Sequence, residues 1–332
     1  IYWAKEYHID GFRVDLMGIH DIETMNQIMV ELRKIDPTIF VYGEGWTAGG
    51  SPLAEEKRAV KANVLKLDGI AAFSDEFRDG VKGHVFTPNA KGFINGETKL
   101  EESVKFGIVG GVSHPQVDLK KVNYTQKAWA KTPHQCINYV SCHDNHTLWD
   151  RLTLSCPRNS EQEKLNMNKL AQTMVFTSQG VPFIHAGEEF VRTKNLIENS
   201  FQSPDNINWI DWDNKGKYQD LYQYYQALIQ LRKQHPAFKM TSQEQIQKHL
   251  KFLEFPHDNV VGYVIGDNAN DDSWKRILVI FNGNANGKKL DIPDGNWKII
   301  CTNHRIDLNG MGMNKTGFAM VQPYAAYILV EE

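Results

Sequence analysis

Three carboxylates stand at the ends of short apolar runs. Asp15 follows Gly11-Phe12-Arg13-Val14, Glu44 lies within Tyr42-Gly43-Glu44-Gly45-Trp46, and Asp144 lies within Tyr139-Val140-Ser141-Cys142-His143-Asp144-Asn145. Arg13 and His143 sit beside them. Brought to one face, such a set can do two kinds of chemistry. In glycoside hydrolysis one carboxylate attacks the anomeric carbon, a second donates and recovers a proton, and a third stabilises an oxocarbenium-like state. Metal binding uses similar residues, and composition alone does not decide between the two.

The elements that must position these residues alternate. An uncapped helix end is expected over residues 1–9, then a strand at 11–15. A helical stripe follows, Ile22, Met25, Ile28, Met29, Leu32 and Ile35, which stops at Asp36-Pro37. Residues 39–42 form a continuous apolar run of the kind buried on both faces of a parallel sheet. Residues 47–135 give no clear periodicity, although 64–73 can flank or contain a further strand. Residues 137–141 read as a strand that delivers His143 and Asp144. Ser160 and Glu163 open a helix as a capping box, and it ends near Gly180. Residues 181–184 give one more strand, running into His185-Ala186-Gly187-Glu188-Glu189. The helix around Leu221, Tyr225, Leu228 and Leu231 closes at Arg232-Lys233 and Pro236.

After Pro236 the pattern changes to short apolar runs at 260–265, 277–281, 297–300 and 324–330, separated by turn signals. The class is therefore α/β, a parallel strand–helix part over residues 1–239 followed by an all-β sandwich over residues 240–332. In a parallel barrel the strand exits hold the active site, which is where the three carboxylates fall.

The composition narrows the function. The chain has 332 residues, 41% of them hydrophobic and 23% charged, with a net charge of −3. Its basic residues are scattered, so neither nucleic acid nor an anionic membrane is expected as partner. No apolar run reaches the roughly 20 residues that cross a bilayer. Four cysteines without a C-x-x-C pair make neither a disulfide framework nor a zinc ribbon, and they leave the compartment open. The acidic run at 267–272 fails the EF-hand pattern, and 283–288 fails the P-loop pattern.

The motif around Asp15, extended to Leu16-Met17-Gly18-Ile19-His20, and those around Glu44 and Asp144 resemble the second, third and fourth signature regions of the α-amylase superfamily, glycoside hydrolase family 13. They are in the form typical of type I pullulanases. Phe183-Ile184-His185-Ala186-Gly187-Glu188-Glu189 and residues 199–212 also resemble that family. The resemblance implies the C-terminal part of a (β/α)8 TIM barrel followed by the β-sandwich. It implies Asp15 as nucleophile, Glu44 as general acid and then base, and Asp144 as transition-state stabiliser. Arg13, His143, Trp46, Asn145, Asn199 and Phe201 are the implied substrate contacts, with Phe201 standing where pullulanases often carry Tyr. In those roles Glu44 has to be protonated near neutral pH, favoured by the neighbouring Asp15, while Arg13 keeps Asp15 ionised. Retention of configuration would set the two carboxyl groups about 5 to 5.5 Å apart.

The activity so implied is hydrolysis of α-1,6-glucosidic linkages in pullulan, limit dextrins and other branched α-glucans, without cofactor or metal. Two alternatives stand beside it: another α-glucan hydrolase or transferase of the superfamily with α-1,4 specificity, and a glucan-binding homologue without catalysis. The superfamily's first signature, the first three barrel strands and the pullulanases' tyrosine-rich motif are absent from these residues. The missing N-terminal part of the barrel is therefore an expected partner, present as another segment or chain.

Overall fold

The computed structural model describes residues 1–332. Five short strands, β1 (Gly11–Val14), β2 (Phe40–Gly43), β3 (Ala71–Phe73), β4 (Cys136–Asn138) and β5 (Val181–Pro182), form a parallel sheet in chain order. The register sets Arg13 opposite Tyr42 and Val14 opposite Gly43. Helix α1 (Tyr2–Glu6) precedes β1, and α2 (Ile22–Arg33) connects β1 to β2. Helices α3 (Asp75–Lys82) and α4 (Glu101–Ile108) lie between β3 and β4, and α5 (Leu148–Ser155) and α6 (Glu161–Thr177) between β4 and β5.

Local chemistry explains the helix starts. Asp21 caps α2 by accepting from Thr24 N at 2.7 Å, and the helix buries Met25, Met29 and Leu32. At α6, Ser160 Oγ accepts from Glu163 N at 3.2 Å while Glu163 accepts from Ser160 N at 2.8 Å, the reciprocal capping box expected from the sequence. The chain continues through two four-residue helices, α7 (Asp205–Asn208) and α8 (Asn214–Lys217), into the long α9 (Gln219–Gln234) and then α10 (Gln243–His249).

The remaining chain is all β. Strands β6 (Leu250–Leu253), β7 (Val260–Ile265), β8 (Arg276–Asn282), β10 (Trp297–Thr302), β11 (Arg305–Ile306), β12 (Met313–Asn314) and β14 (Ala325–Glu331) make one antiparallel sheet. The intervening β9 (Lys288–Asp291) and β13 (Phe318–Val321) pair as a separate two-stranded ribbon. The strand period of two divides each long strand between two cores. Leu278, Ile280, Tyr327 and Leu329 face the ribbon, with Leu290 and Val321 between the layers. Ile277, Val279, Phe281, Ile328 and Val330 face the opposite way, into the core shared with Met174 and Leu228 of the helices. The two β layers are thus unequal, and the helices cover the other face of the larger one.

Two expectations are corrected. The run at 39–42 is not buried on both faces: Val41 is buried outward, but Phe40 and Tyr42 are half-buried, because they point to the concave face, where only an aromatic cluster with Phe73, Tyr139 and Phe183 covers them. The strands read at 137–141 and 181–184 are also shorter than expected. The ladder ends at Asn138 and Pro182, and Tyr139 to Ser141 continue as irregular chain toward the site.

The helical and β parts are joined by a buried polar knot. Asp272 lies 2.9 Å from His235 Nδ1 and accepts from Ala237 N at 3.0 Å and Trp274 N at 2.9 Å, while the His235 ring stacks on Trp274. Burial alone would raise the Asp272 pKa, but these hydrogen bonds outweigh it and hold it below its usual 3.8. A depressed carboxylate stabilises the fold above its ordinary range and stops doing so as the pH falls through its folded value. Asp272→Ala is expected to cost about 3 kcal/mol in urea unfolding at neutral pH. Asp272→Asn should remove part of the acid-induced loss of stability expected below pH 4 in the unsubstituted chain.

Candidate active site

Arg13, Asp15 and Glu44 come together because β1 and β2 are parallel, in register and of period two. Arg13 and Asp15 are two residues apart on one chain, Tyr42 and Glu44 on the other, and all four project from the same face. Two glycines permit the close approach. A Cβ on Gly43 would stand 2.6 Å from Val14 O, and one on Gly18 would stand 2.5 Å from Trp46 O. Leu16 takes the left-handed conformation, φ 43°, a strained choice for a branched side chain. The turn directs its N–H to Glu44 Oε2 at 2.8 Å.

Arg13 is the shared counter-ion. One terminal nitrogen donates to Asp15, and Nη2 lies 2.8 Å from Glu44 Oε1. Burial would lower the guanidinium pKa, yet the bond to Asp15 and the charges of Glu44, Asp15 and Asp144 raise it above its usual value. Asp15 is open to solvent, whereas Glu44 is only 6% exposed. Arg13 therefore serves both carboxylates rather than Asp15 alone.

Two adjoining hollows open on this group. The larger, about 650 Å³, is lined by Glu44, Trp46, Asp144, Asn145 and Asn199; the smaller, about 200 Å³, contains Arg13, Tyr42 and His143. His143 Nε2 lies 3.6 Å from Asp144 Oδ1 at the exposed exit of β4. Asn145, at φ 58°, is held by its amide on Glu198 Oε1 at 3.1 Å. Phe201 lies outside both hollows, exposed on the turn before α7. No group of three or more His, Cys, Asp or Glu side chains is arranged as a metal site.

The sequence reading missed several wall residues: Asp75, Arg78, Phe86, Tyr139, Cys142 and Glu198. Phe86 is 73% exposed on the loop after α3 and lies on the same cleft as Trp46. Its segment has no periodicity to mark it; an apolar residue at a loop tip was the only signal.

Comparison with known proteins places this geometry. Residues 246–305 match the all-beta domain of pullulanases. The pullulanase of Bacillus subtilis (strain 168) is 39% identical over 91% of this chain. The solved pullulanase from Bacillus acidopullulyticus superposes on 99% of the chain with a TM-score of 0.91 and 38% identity. The chain is a homologue of the pullulanases. It corresponds to a C-terminal portion of them, spanning 40% of the B. subtilis protein and 39% of the B. acidopullulyticus chain. A pullulanase from Paenibacillus barengoltzii, solved in complex with maltohexaose and α-cyclodextrin, is 41% identical, with a TM-score of 0.90; the match covers 99% of this chain and 49% of that one.

In this pullulanase homologue the strand exits are tied together from below by a buried carboxyl group. Glu188, fully buried after β5, accepts from the Ser141 hydroxyl, from Gln172 Nε2 at 3.2 Å and from His185 N at 3.1 Å. It thereby links the segment that carries His143 and Asp144 to the exit of β5. Two cations stand close to the same segment. Arg78 donates to the Tyr139 hydroxyl at 2.9 Å and to Asp79 at 2.6 Å. Buried Lys82 has its pKa pushed down to about 7 by desolvation and by the charge of Arg78.

Desolvation pushes the Glu188 pKa up from its usual 4.5 to about 7. A raised carboxyl pKa favours the folded state at low pH, and that contribution is lost as the pH rises from about 4.5 to about 7. In thermal melts across that window, Glu188→Gln is expected to show a flatter pH profile than the unsubstituted chain. Equal slopes in both would mean that Glu188 is ionised throughout.

Proposed function

We propose that this chain carries the catalytic carboxylates of a retaining glycoside hydrolase that cleaves α-1,6-glucosidic linkages in pullulan, limit dextrins and other branched α-glucans. The observation that carries the reading is the single guanidinium of Arg13 bridging Asp15 and Glu44, with Glu44 and Asp144 lining one cleft. Solved relatives that bind maltohexaose and α-cyclodextrin support an α-glucan as ligand.

The roles follow from position. Asp15, exposed and oriented by Arg13, attacks the anomeric carbon and forms the glycosyl-enzyme. Glu44, sheltered and fixed by Leu16 N, delivers a proton to the departing glycosidic oxygen and then takes one from the attacking water. Asp144 faces the positive charge that develops on the ring, and His143 and Asn145 beside it offer hydrogen bonds to sugar hydroxyls. Trp46 and Phe86 present apolar faces on which pyranose rings stack. Asn199 contributes an amide at the cleft rim. Phe201 is assigned to longer substrates, beyond the cleft itself.

In this reading residues 1–239 are the C-terminal part of a (β/α)8 barrel and residues 240–332 a β-sandwich domain. The edges of the parallel sheet support it: β1 pairs only with β2 and β5 only with β4, so both outer edges are free to take further strands. Ile1, Tyr2, Trp3 and Tyr7 leave an aromatic patch exposed beside β1. The remaining barrel, as another segment or chain, would cover that patch and close the sheet.

The test is product analysis of pullulan digestion by the complete protein, with a Glu44→Gln control. Maltotriose as main product, reduced at least about a thousandfold in the control, is the expected result. Cleavage to α-1,4 products would assign the chain to another α-glucan hydrolase. Glucan binding without turnover would make it a non-catalytic homologue.

A further inference from the structure

A separate hollow of about 350 Å³ lies on the far side of the loop that borders the cleft, its wall formed by Trp209 and a ring of amides. We propose that it is a second saccharide site, which holds an uncut stretch of the same neutral α-glucan chain while another stretch occupies the cleft. The assignment of the polymer rests on the hydrolase reading above.

The hollow has the size of small-molecule sites. Trp209 is 62% exposed there. Its neighbour Trp212 is engaged with Phe190, ring centroids 5.5 Å apart, and Trp209 stacks on no other aromatic ring, so its indole face is free. An exposed indole in a concavity suits the C–H face of a pyranose. The polar lining suits the hydroxyls around it. The side-chain amides of Asn195, Asn206 and Asn214 are free of hydrogen bonds within the protein, and each presents both a donor and an acceptor. Asp211 Oδ1 accepts from Asp213 N at 3.1 Å, which leaves Oδ2 as a further acceptor.

Arg192 makes the floor rigid. Its Nη1 lies 3.1 Å from His185 Nε2 and donates to Ala186 O at 3.0 Å, and its Nη2 donates to Asn208 O at 2.7 Å. Nε of the same side chain is buried and takes no partner within the protein. With one guanidinium, one carboxylate and three amides around it, the lining of the hollow carries no net charge. That favours a neutral polyol over an anion.

Continuity with the cleft identifies the polymer. Arg192, Thr193 and Asn195 border the hollow, while Glu198 and Asn199, on the same loop, border the cleft. Asn195 and Glu198 are three residues apart, at most about 11 Å along an extended chain, a distance that a short oligosaccharide covers. Lys194 pins the loop between them through Nζ, which donates to His143 O at 3.0 Å and Glu198 O at 2.9 Å.

The experiment uses the complete protein with Trp209→Ala and, separately, Asn206→Ala, each with its melting temperature checked. Three quantities are read: retardation by pullulan in native gels, KM and kcat on pullulan, and turnover of an α-1,6-branched oligosaccharide too short to span both hollows. For Trp209→Ala, retardation is expected to weaken and KM on pullulan to rise by about three- to tenfold, the scale of one lost stacking contact, with kcat and short-substrate turnover unchanged. Asn206→Ala should shift the same two quantities less. Unchanged retardation and KM in both variants would overturn the proposal, as would an equal loss on the short substrate, which would place Trp209 in the cleft. If the unsubstituted protein cleaves neither substrate, the hydrolase reading fails; retardation that depends on Trp209 would still establish the saccharide site.

Discussion

Asp15 and Glu44 are packed against one guanidinium, with Asp144 lining the same cleft as Glu44, and the rest of the site is arranged to make that crowding tolerable. Two unit charges 4 Å apart in a partly buried setting interact by about 4 kcal/mol. Unrelieved, repulsion of that size would drive the strand exits apart. Arg13 relieves it by bonding Asp15 and Glu44 at once. It can do so only because β1 and β2 are parallel and in register, which sets Arg13 beside Tyr42 and directs both carboxylates to the concave face. The glycines at 18 and 43 and the strained turn at Leu16 are local costs of holding the two strand ends that close.

A second electrostatic layer lies beneath. Glu188 ties the β4 and β5 exits together, Arg78 lines the cleft while holding the Tyr139 hydroxyl, and Lys82 is buried close by. Buried groups of both signs make the floor stiff, since each has lost its water and depends on its protein partners. The carboxylates at the strand exits therefore stand on a base of fixed polar groups.

The antiparallel sheet acts through the helices rather than at the cleft. One face of β7, β8 and β14 packs with α6 and α9, and the other is covered by the β9–β13 ribbon. The Asp272 knot fastens the end of α9 to the loop before β8. Helix α6 in turn supplies Gln172 to Glu188, so the β layer braces the strand exits at second hand.

What the sequence determined alone was local. Short apolar runs and period 3.6 located the strands at 11–15, 39–42 and 137–141 and the helices at 22–33 and 161–177 to within a few residues, and a capping box marked the start of the last. Asp15, Glu44 and Asp144 were legible because each ends an apolar run, and strand exits are where a parallel sheet presents polar groups. Tertiary structure decided the rest. That Arg13 serves two carboxylates depends on register between strand residues 29 positions apart, which no local pattern encodes. Asp75, Arg78 and Phe86 reach the cleft from a stretch whose irregular turns carry no periodicity, and Glu188 is recognisable as a buried brace only once Ser141, Gln172 and His185 surround it. Side-chain chemistry is written residue by residue, but burial and distance, which set what that chemistry can do, are properties of the packed chain.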